Sequence, residues 1–217
     1  MELTTVLLIF FSLLILNYIM TVAWSRLSVR SWEGQIPEGF TDISGTMASL
    51  TETRWISSPD LFDSFYAQVY DQLFQGSTRL QAETGLALHA FKSNGTSLKE
   101  MRILDAGCGT GIVSTALAKM NVAKVIGVDV SVAMIDRAKK VTLPESTLTP
   151  EQKAVIEFRN SDLLNPSSLA PGEVTNAIVF YFVLYYLHDL DAFFRNMYVW
   201  VKPGGMIAVE AVNKYKF

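Results

Sequence analysis

The hydrophobic pattern divides the chain into three stretches. From Leu3 to Trp24 no residue is charged, and Leu, Ile, Val and Phe dominate. From 25 to 60 any period is broken by Gly34, Pro37, Gly39, Gly45 and Pro59. Beyond Pro59 the pattern becomes helical: Leu61, Phe62, Phe65, Tyr66, Val69, Tyr70, Leu73 and Phe74 recur at three- and four-residue steps. A second helix is predicted over Arg79–Phe91, ending before Ser93-Asn94-Gly95. Short apolar runs then alternate with helical ones. The readings are strand 102–105, helix 111–120, strand 124–128, a helix from Ser131 to about Val141 with Ser131 as N-cap, and strand 155–159. Strand 176–182, a helix from about Asp191 to Val201 and strand 206–211 complete the series. Such alternation predicts an α/β domain, a doubly wound, mostly parallel sheet with helices on both faces. The predicted organisation is segment 1–24, linker 25–60 and domain 61–217.

The run Ile103-Leu104-Asp105-Ala106-Gly107-Cys108-Gly109-Thr110-Gly111 reads as a buried strand, a turn without side chains, and the start of a helix. Eighteen residues after Gly111, Val125-Ile126-Gly127-Val128-Asp129 repeats the strand-then-acid pattern. A glycine turn lets a ligand lie against bare backbone, and an acid ending the next parallel strand can hold ribose hydroxyls. The pattern therefore predicts an adenosine-containing ligand. Dinucleotide sites prefer G-x-G-x-x-G, but Ile112 stands at the third glycine position, and Asp105 before the turn would repel a pyrophosphate. Asp105 suits a cationic amine instead.

A formal charge of −3 lacks the basic excess that phosphate backbones require, which disfavours a nucleic-acid substrate. The single cysteine, Cys108, excludes an internal disulfide; it either fills the glycine turn as a small residue or serves as a reactive thiol. No pair of histidines or carboxylates has metal-ligand spacing, so no metal site is predicted.

Leu3–Trp24 is long enough to span a bilayer core of roughly 20 residues. About a dozen large apolar side chains at roughly −0.3 to −0.6 kcal/mol each favour insertion. A cleaved signal peptide would want a basic start and a shorter core, whereas Glu2 precedes this segment and Arg26 and Arg30 follow it. The expectation is a single-pass anchor, with the linker as a stalk and the domain facing the cytoplasm by the positive-inside bias. Asn94-Gly95-Thr96 has the form of a glycosylation acceptor but reads as a loop under this topology.

Asp105 to Gly111, Asp129 and Ser161-Asp162-Leu163 resemble the cofactor motifs of the class I S-adenosylmethionine-dependent methyltransferases of small-molecule type. Ala177 to Asp189, with Lys202-Pro203-Gly204-Gly205 before the last strand, is similar to strands four and five of that Rossmann-like fold. The likeness runs over roughly residues 62–217. It implies S-adenosyl-L-methionine as cofactor, with Gly107, Cys108, Gly109 and Gly111 beneath its methionine part and Asp105 near its amino group. It further implies Asp129 on the ribose, Val130 beside the adenine, Asp162 on the adenine amino group with Leu163 in contact, and Phe180 and Tyr181 beside the sulfonium. Asp63 to Asp71 resembles the family's lid helix, whose tyrosines, here Tyr66 and Tyr70, touch the cofactor's carboxylate; the same stripe also reads as aromatic packing against the core.

Methyl transfer from a sulfonium is an in-line displacement that mainly needs alignment, worth roughly 7–11 kcal/mol in favourable cases. Aromatic faces attract the sulfonium, and Phe180, Tyr181, Phe182, Tyr185 and Tyr186 supply several, at least two of which must face the core. The catalytic candidates are Tyr181, Tyr185 and His188, with His188 or Asp189 as a base and His89 as a structural residue. One departure stands out. The family's sheet ends with two further strands, so strand five is expected as an exposed edge: either this is a C-terminally truncated copy, or another chain or the stalk covers that edge. The expected acceptor is a small or amphipathic, lipid-like molecule. The alternative is a membrane-anchored S-adenosylmethionine-binding module that acts as a partner or scaffold without catalysis; a dehydrogenase ranks third.

Overall fold

The structure, a computed structural model, describes residues 58–74 and 77–212. The apolar segment 1–24 and the predicted stalk as far as Ser57 lie outside the described residues. Among those described, no helix is long and apolar enough to cross a membrane. The chain enters through a helical turn, Ser58–Leu61, and helices α1 (Ser64–Phe74) and α2 (Ser77–Ser93). Next come β1 (Arg102–Ala106), α3 (Ile112–Lys119), β2 (Lys124–Asp129), α4 (Val132–Arg137), α5 (Pro150–Ala154) and β3 (Ile156–Asn160). The series closes with β4 (Val174–Val179), α6 (Val183–Tyr186), α7 (Leu190–Trp200) and β5 (Val201–Val209). The strands form one sheet in the order β3-β2-β1-β4-β5, every pair parallel.

Two-residue alternation sends successive side chains of each strand to opposite faces. Ile103, Val125 and Ile178 pack against Phe91 and Leu88 of α2 and Leu117 of α3. Leu104, Ile126, Ala177 and Val179 face Phe193, Met197 and Trp200 of α7. Trp200 is fully buried, and its indole N–H donates to the Pro166 carbonyl at 3.1 Å. Helices thus cover both faces, and Asp105, in phase with Ile103, lies on the α2–α3 side.

Several boundaries differ from the sequence reading. The helix opening at Ser131 has the expected cap, its hydroxyl accepting the Met134 N–H at 3.1 Å, but widens into a π-helical turn over Ala138–Thr142. The fourth strand starts two residues early and stops at Val179, because Tyr181 and Phe182 take positive φ of 55° and 67°. The fifth starts at Val201 and takes in Lys202-Pro203-Gly204-Gly205; its register with β4 slips, Val174 facing Val201 but Asn176 facing Met206. Among the described residues β5 pairs only with β4 and forms the sheet edge.

Candidate active site

The C-terminal ends of β1, β2 and β4 converge on the glycine turn. Gly107 and Cys108 donate their backbone N–H groups to the Val128 carbonyl at 2.8 and 3.0 Å, tying the turn to the end of β2. Two glycines serve different purposes. A Cβ on Gly107 would lie 2.4 Å from a methyl of Val183, so the segment after β4 packs directly on the turn. Gly109 has φ +52° and would meet only the Tyr70 ring, at 3.9 Å. Its backbone lies beneath α1 in a left-handed conformation that glycine adopts without cost.

Asp129 is bonded directly to this turn. One carboxylate oxygen accepts the Gly109 N–H and the other the Ser131 N–H, both at 2.8 Å. Each oxygen keeps a further lone pair. Burial raises the Asp129 carboxyl, and the two backbone donors pull it back. Asp105 is 2% exposed and accepts the Ser114 hydroxyl at 2.6 Å. Burial pushes its carboxyl up to about 7, against the lowering effect of Ser114 and with a further rise from the charge of Asp129.

Helix α1 closes over the turn as a lid. Phe62 meets Tyr66, Tyr70 and Tyr186 edge-on at 5.2, 6.5 and 5.0 Å, and Tyr66 lies 5.8 Å from Tyr70. Burial, with Tyr66 and Tyr186 nearby, raises the Tyr70 phenol, which therefore stays neutral. Asp71, 8% exposed, accepts the Thr110 hydroxyl from the glycine turn at 2.5 Å and Arg137 Nε at 3.2 Å. The Ser131 hydroxyl donates to the Phe62 carbonyl at 2.6 Å. The expected aromatic stripe is only partly inward: Phe65 and Leu73 are exposed, while Ala67 and Asp71 are the buried positions. Asp71 as the latch escaped the sequence reading; an acid between Tyr70 and Leu73 within the aromatic stripe was the signal for it.

The adenine-side segment is braced by its own turn. Asp162 is exposed and accepts the Leu164 N–H at 2.8 Å. Leu163 is buried, and its carbonyl accepts Asn196 Nδ2 at 2.9 Å. The Val130 carbonyl accepts Asn160 Nδ2 at 2.9 Å. Cys108 packs with Ile135, Ala138 and Phe158, and burial drives its thiol well above the ordinary range, so it fills space and is not reactive.

The end of β4 departs most from expectation. Phe180 is buried in the core beside Ile178, whereas Tyr185 and Tyr186 are exposed and Tyr181 is half-buried. Two of the five aromatics therefore face the core, Phe180 within it and Tyr181 packed against it. The Tyr185 hydroxyl accepts the Val212 N–H at 2.8 Å, bracing the end of the chain past β5. His188 is exposed and makes no hydrogen bond or ion pair among the described residues. Asp189 caps α7 by accepting the Ala192 N–H. His89 is exposed on α2 rather than packed within it. In place of His188 the structure assembles a cluster absent from the sequence reading. Tyr181 donates its N–H to Glu210 at 2.7 Å, Glu210 pairs with Arg79, and Arg79 pairs with Glu83 at 2.7 Å. The Arg79 guanidinium lies 5.3 Å from the Tyr181 ring centroid and 6.0 Å from that of Phe182.

An S-adenosyl cofactor fits these residues. Gly109 puts no side chain between the turn and the Tyr70 ring, Asp129 lies against the same turn with a lone pair to spare on each oxygen, and the buried Asp105 calls for a cationic partner when ionised.

Comparison with known proteins agrees with this geometry. Ubiquinone biosynthesis O-methyltransferase from Brucella ovis is 30% identical over 117 residues, covering 54% of this chain and 43% of that protein. The mitochondrial enzyme of the same name from Rattus norvegicus is 30% identical over 123 residues, 55% of this chain and 33% of that protein. The chain thus spans less than half the length of these curated relatives. Among solved structures, a Methanococcus maripaludis protein assigned to the S-adenosylmethionine-dependent methyltransferases superposes with a TM-score of 0.55 at 22% identity, covering 74% of this chain and 67% of its own. The [4+2]-cyclase SpnF gives 0.55 at 19% identity, with 71% and 60% covered. These two likenesses show the fold, which serves more than one chemistry. The family described as "Methyltransferase domain" matches residues 78–216, well over half of the sequence, and the chain belongs to that family, with S-adenosylmethionine as its cofactor.

Proposed function

We propose that this protein transfers a methyl group from S-adenosylmethionine to a hydroxyl on an aromatic, lipid-like acceptor. The observation that carries the reading is the direct bond of Asp129 to the Gly109 backbone at the glycine turn, under the α1 lid. The bound cofactor supplies an electrophilic methyl carbon on sulfur. The chain's own residues do the rest. Asp105, Asp129 and the glycine turn hold and orient the nucleoside, and the Phe62–Tyr66–Tyr70–Tyr186 cluster excludes water. Tyr181 presents an aromatic face at the end of β4. The names of the curated relatives support a phenolic, quinone-type acceptor, and the apolar segment Leu3–Trp24 supports one that dissolves in a membrane.

Calorimetry with S-adenosylmethionine, followed by labelled-methyl transfer to a panel of prenylated catechols, simple phenols and amines, tests the reading. Transfer to a prenylated catechol is the expected result. Binding without transfer across the panel would return the chain to the role of a binding module, and transfer only to amines would overturn the hydroxyl assignment.

A further inference from the structure

Two buried side-chain oxygens among the described residues lack a hydrogen-bond partner: Asn176 Oδ1 and Glu83 Oε2. The first sits within β4 in the sheet. The second belongs to α2 and lies close to Tyr181 at the end of β4. A buried carboxylate oxygen without a donor is costly, because its desolvation is uncompensated, and native structures keep few such atoms without a use. The other oxygen of Glu83 accepts Arg79 Nε, so the side chain is held in one orientation with Oε2 left over.

Further features gather there. Tyr181 and Phe182 are consecutive non-glycine residues with positive φ, a strain of about 1–3 kcal/mol each that persists only where surroundings enforce it and that concentrates at active sites. Glu210, at the end of β5, enforces it by accepting the Tyr181 N–H, and Arg79 locks Glu210 to Glu83. Two residues on, Val183 lies against Gly107 of the cofactor turn. The segment 181–183 therefore joins the cofactor turn on one side to the Glu83–Arg79–Glu210 cluster on the other. The Tyr181 phenol senses Glu83, Arg79, Glu210 and Asp105, which sets it between the two groups of charges. The cluster holds two carboxylates and one guanidinium, so one negative charge is unmatched.

Resting on the proposed hydroxyl acceptor, we infer that Glu83 is the general base and that Oε2 receives the acceptor's proton. As the acceptor oxygen bonds to the methyl carbon, the carbon–sulfur bond breaks with its electron pair left on sulfur. The hydroxyl proton moves to Oε2. Arg79 and Glu210 act as positioning residues, and Tyr181 shapes the acceptor's seat.

The test uses the full chain and Glu83→Gln, which keeps an acceptor for Arg79 but removes the base. With catechol as acceptor, turnover falls about 10²- to 10⁴-fold, the range of general-base catalysis, while S-adenosylmethionine affinity measured by calorimetry stays within about threefold. With 4-nitrocatechol, which ionises without help near neutral pH, the loss shrinks to less than tenfold. A readout independent of turnover is the absorbance titration of 4-nitrocatechol bound without cofactor. Its ionisation midpoint falls in Glu83→Gln, because a neighbouring carboxylate no longer opposes the phenolate. Glu83→Asp keeps the acid limb of the catechol pH profile at a reduced rate, which preserves the test if Gln disturbs folding. Equal losses for both acceptors, or an unmoved titration, overturn the assignment of Glu83. Failure of the wild-type protein to methylate any hydroxyl overturns the proposed function instead.

Discussion

At the scale of the residue, Asp105 makes the sharpest prediction. Its carboxyl stands at about 7 in the fold against an ordinary 3.8, with burial the main cause. The native state therefore holds a proton that the unfolded chain releases. Its stabilising contribution is fully present below about pH 4 and is lost as pH rises through about 7. A cofactor ammonium facing Asp105 favours the ionised form, so binding below pH 7 expels that proton and affinity rises up to about tenfold per pH unit until the plateau. Calorimetry near pH 6 in two buffers of different ionisation enthalpy should register close to one proton released by the wild type and none by Asp105→Asn. Equal heats in both buffers for the wild type would remove Asp105 from the amine site. This acid was visible in the sequence because a charged residue ending an apolar run before glycines has few other uses. Glu83 was not. Its four-residue spacing from Arg79 looks like an ordinary surface ion pair on a helix, and only the fold shows that its second oxygen is buried.

At the scale of the element, the lid is held by a few polar contacts as well as by its aromatic cluster and the buried Ala67. The outward Phe65 and Leu73 add nothing to its attachment, while Asp71 ties it to both the glycine turn and α4 through Thr110 and Arg137. Hydrogen bonds to a charged group contribute about 1.5–3 kcal/mol. Asp71→Asn keeps the shape and loses the charge, and roughly 1–2 kcal/mol of lid docking should go with it. The expected signs are amide hydrogen exchange in residues 64–74 faster by about tenfold, and cofactor dissociation faster by a similar factor. Exchange in α7, on the far face of the sheet, should not change. If lid exchange is also unchanged, the latch is incidental. Most elements were legible from periodicity, since strands buried on both faces and the amphipathic α7 leave plain patterns. The break after Val179 was not. Asn176–Phe182 is apolar almost throughout, and nothing local tells β-branched continuation from a left-handed turn that a distant carboxylate, Glu210, holds in place.

At the scale of the whole molecule, the sheet separates two duties. Its α7 face is apolar packing around Phe193, Met197 and Trp200. The α2–α3 face, together with the strand ends, carries Asp105, Ser114 and the Glu83 cluster. An acceptor approaching that end would do so from the side to which β4, β5 and α2 contribute, and a lipid-like acceptor reaches it most readily if the domain works at a bilayer surface. The uncharged run Leu3–Trp24, with Arg26 and Arg30 following it, supports that arrangement. Tethering raises the local concentration of a membrane-dissolved acceptor without any new contact. The full chain should therefore sediment with membranes, resist alkaline carbonate and yield only to detergent. Removing residues 1–24 should leave turnover on water-soluble catechol unchanged while lowering, by about tenfold or more, turnover on a prenylated catechol supplied in vesicles. Full-length protein in the supernatant of a detergent-free lysate, or an N-terminus found just after Trp24, would show that the segment does not anchor. Equal loss on both acceptors would show that it serves folding instead.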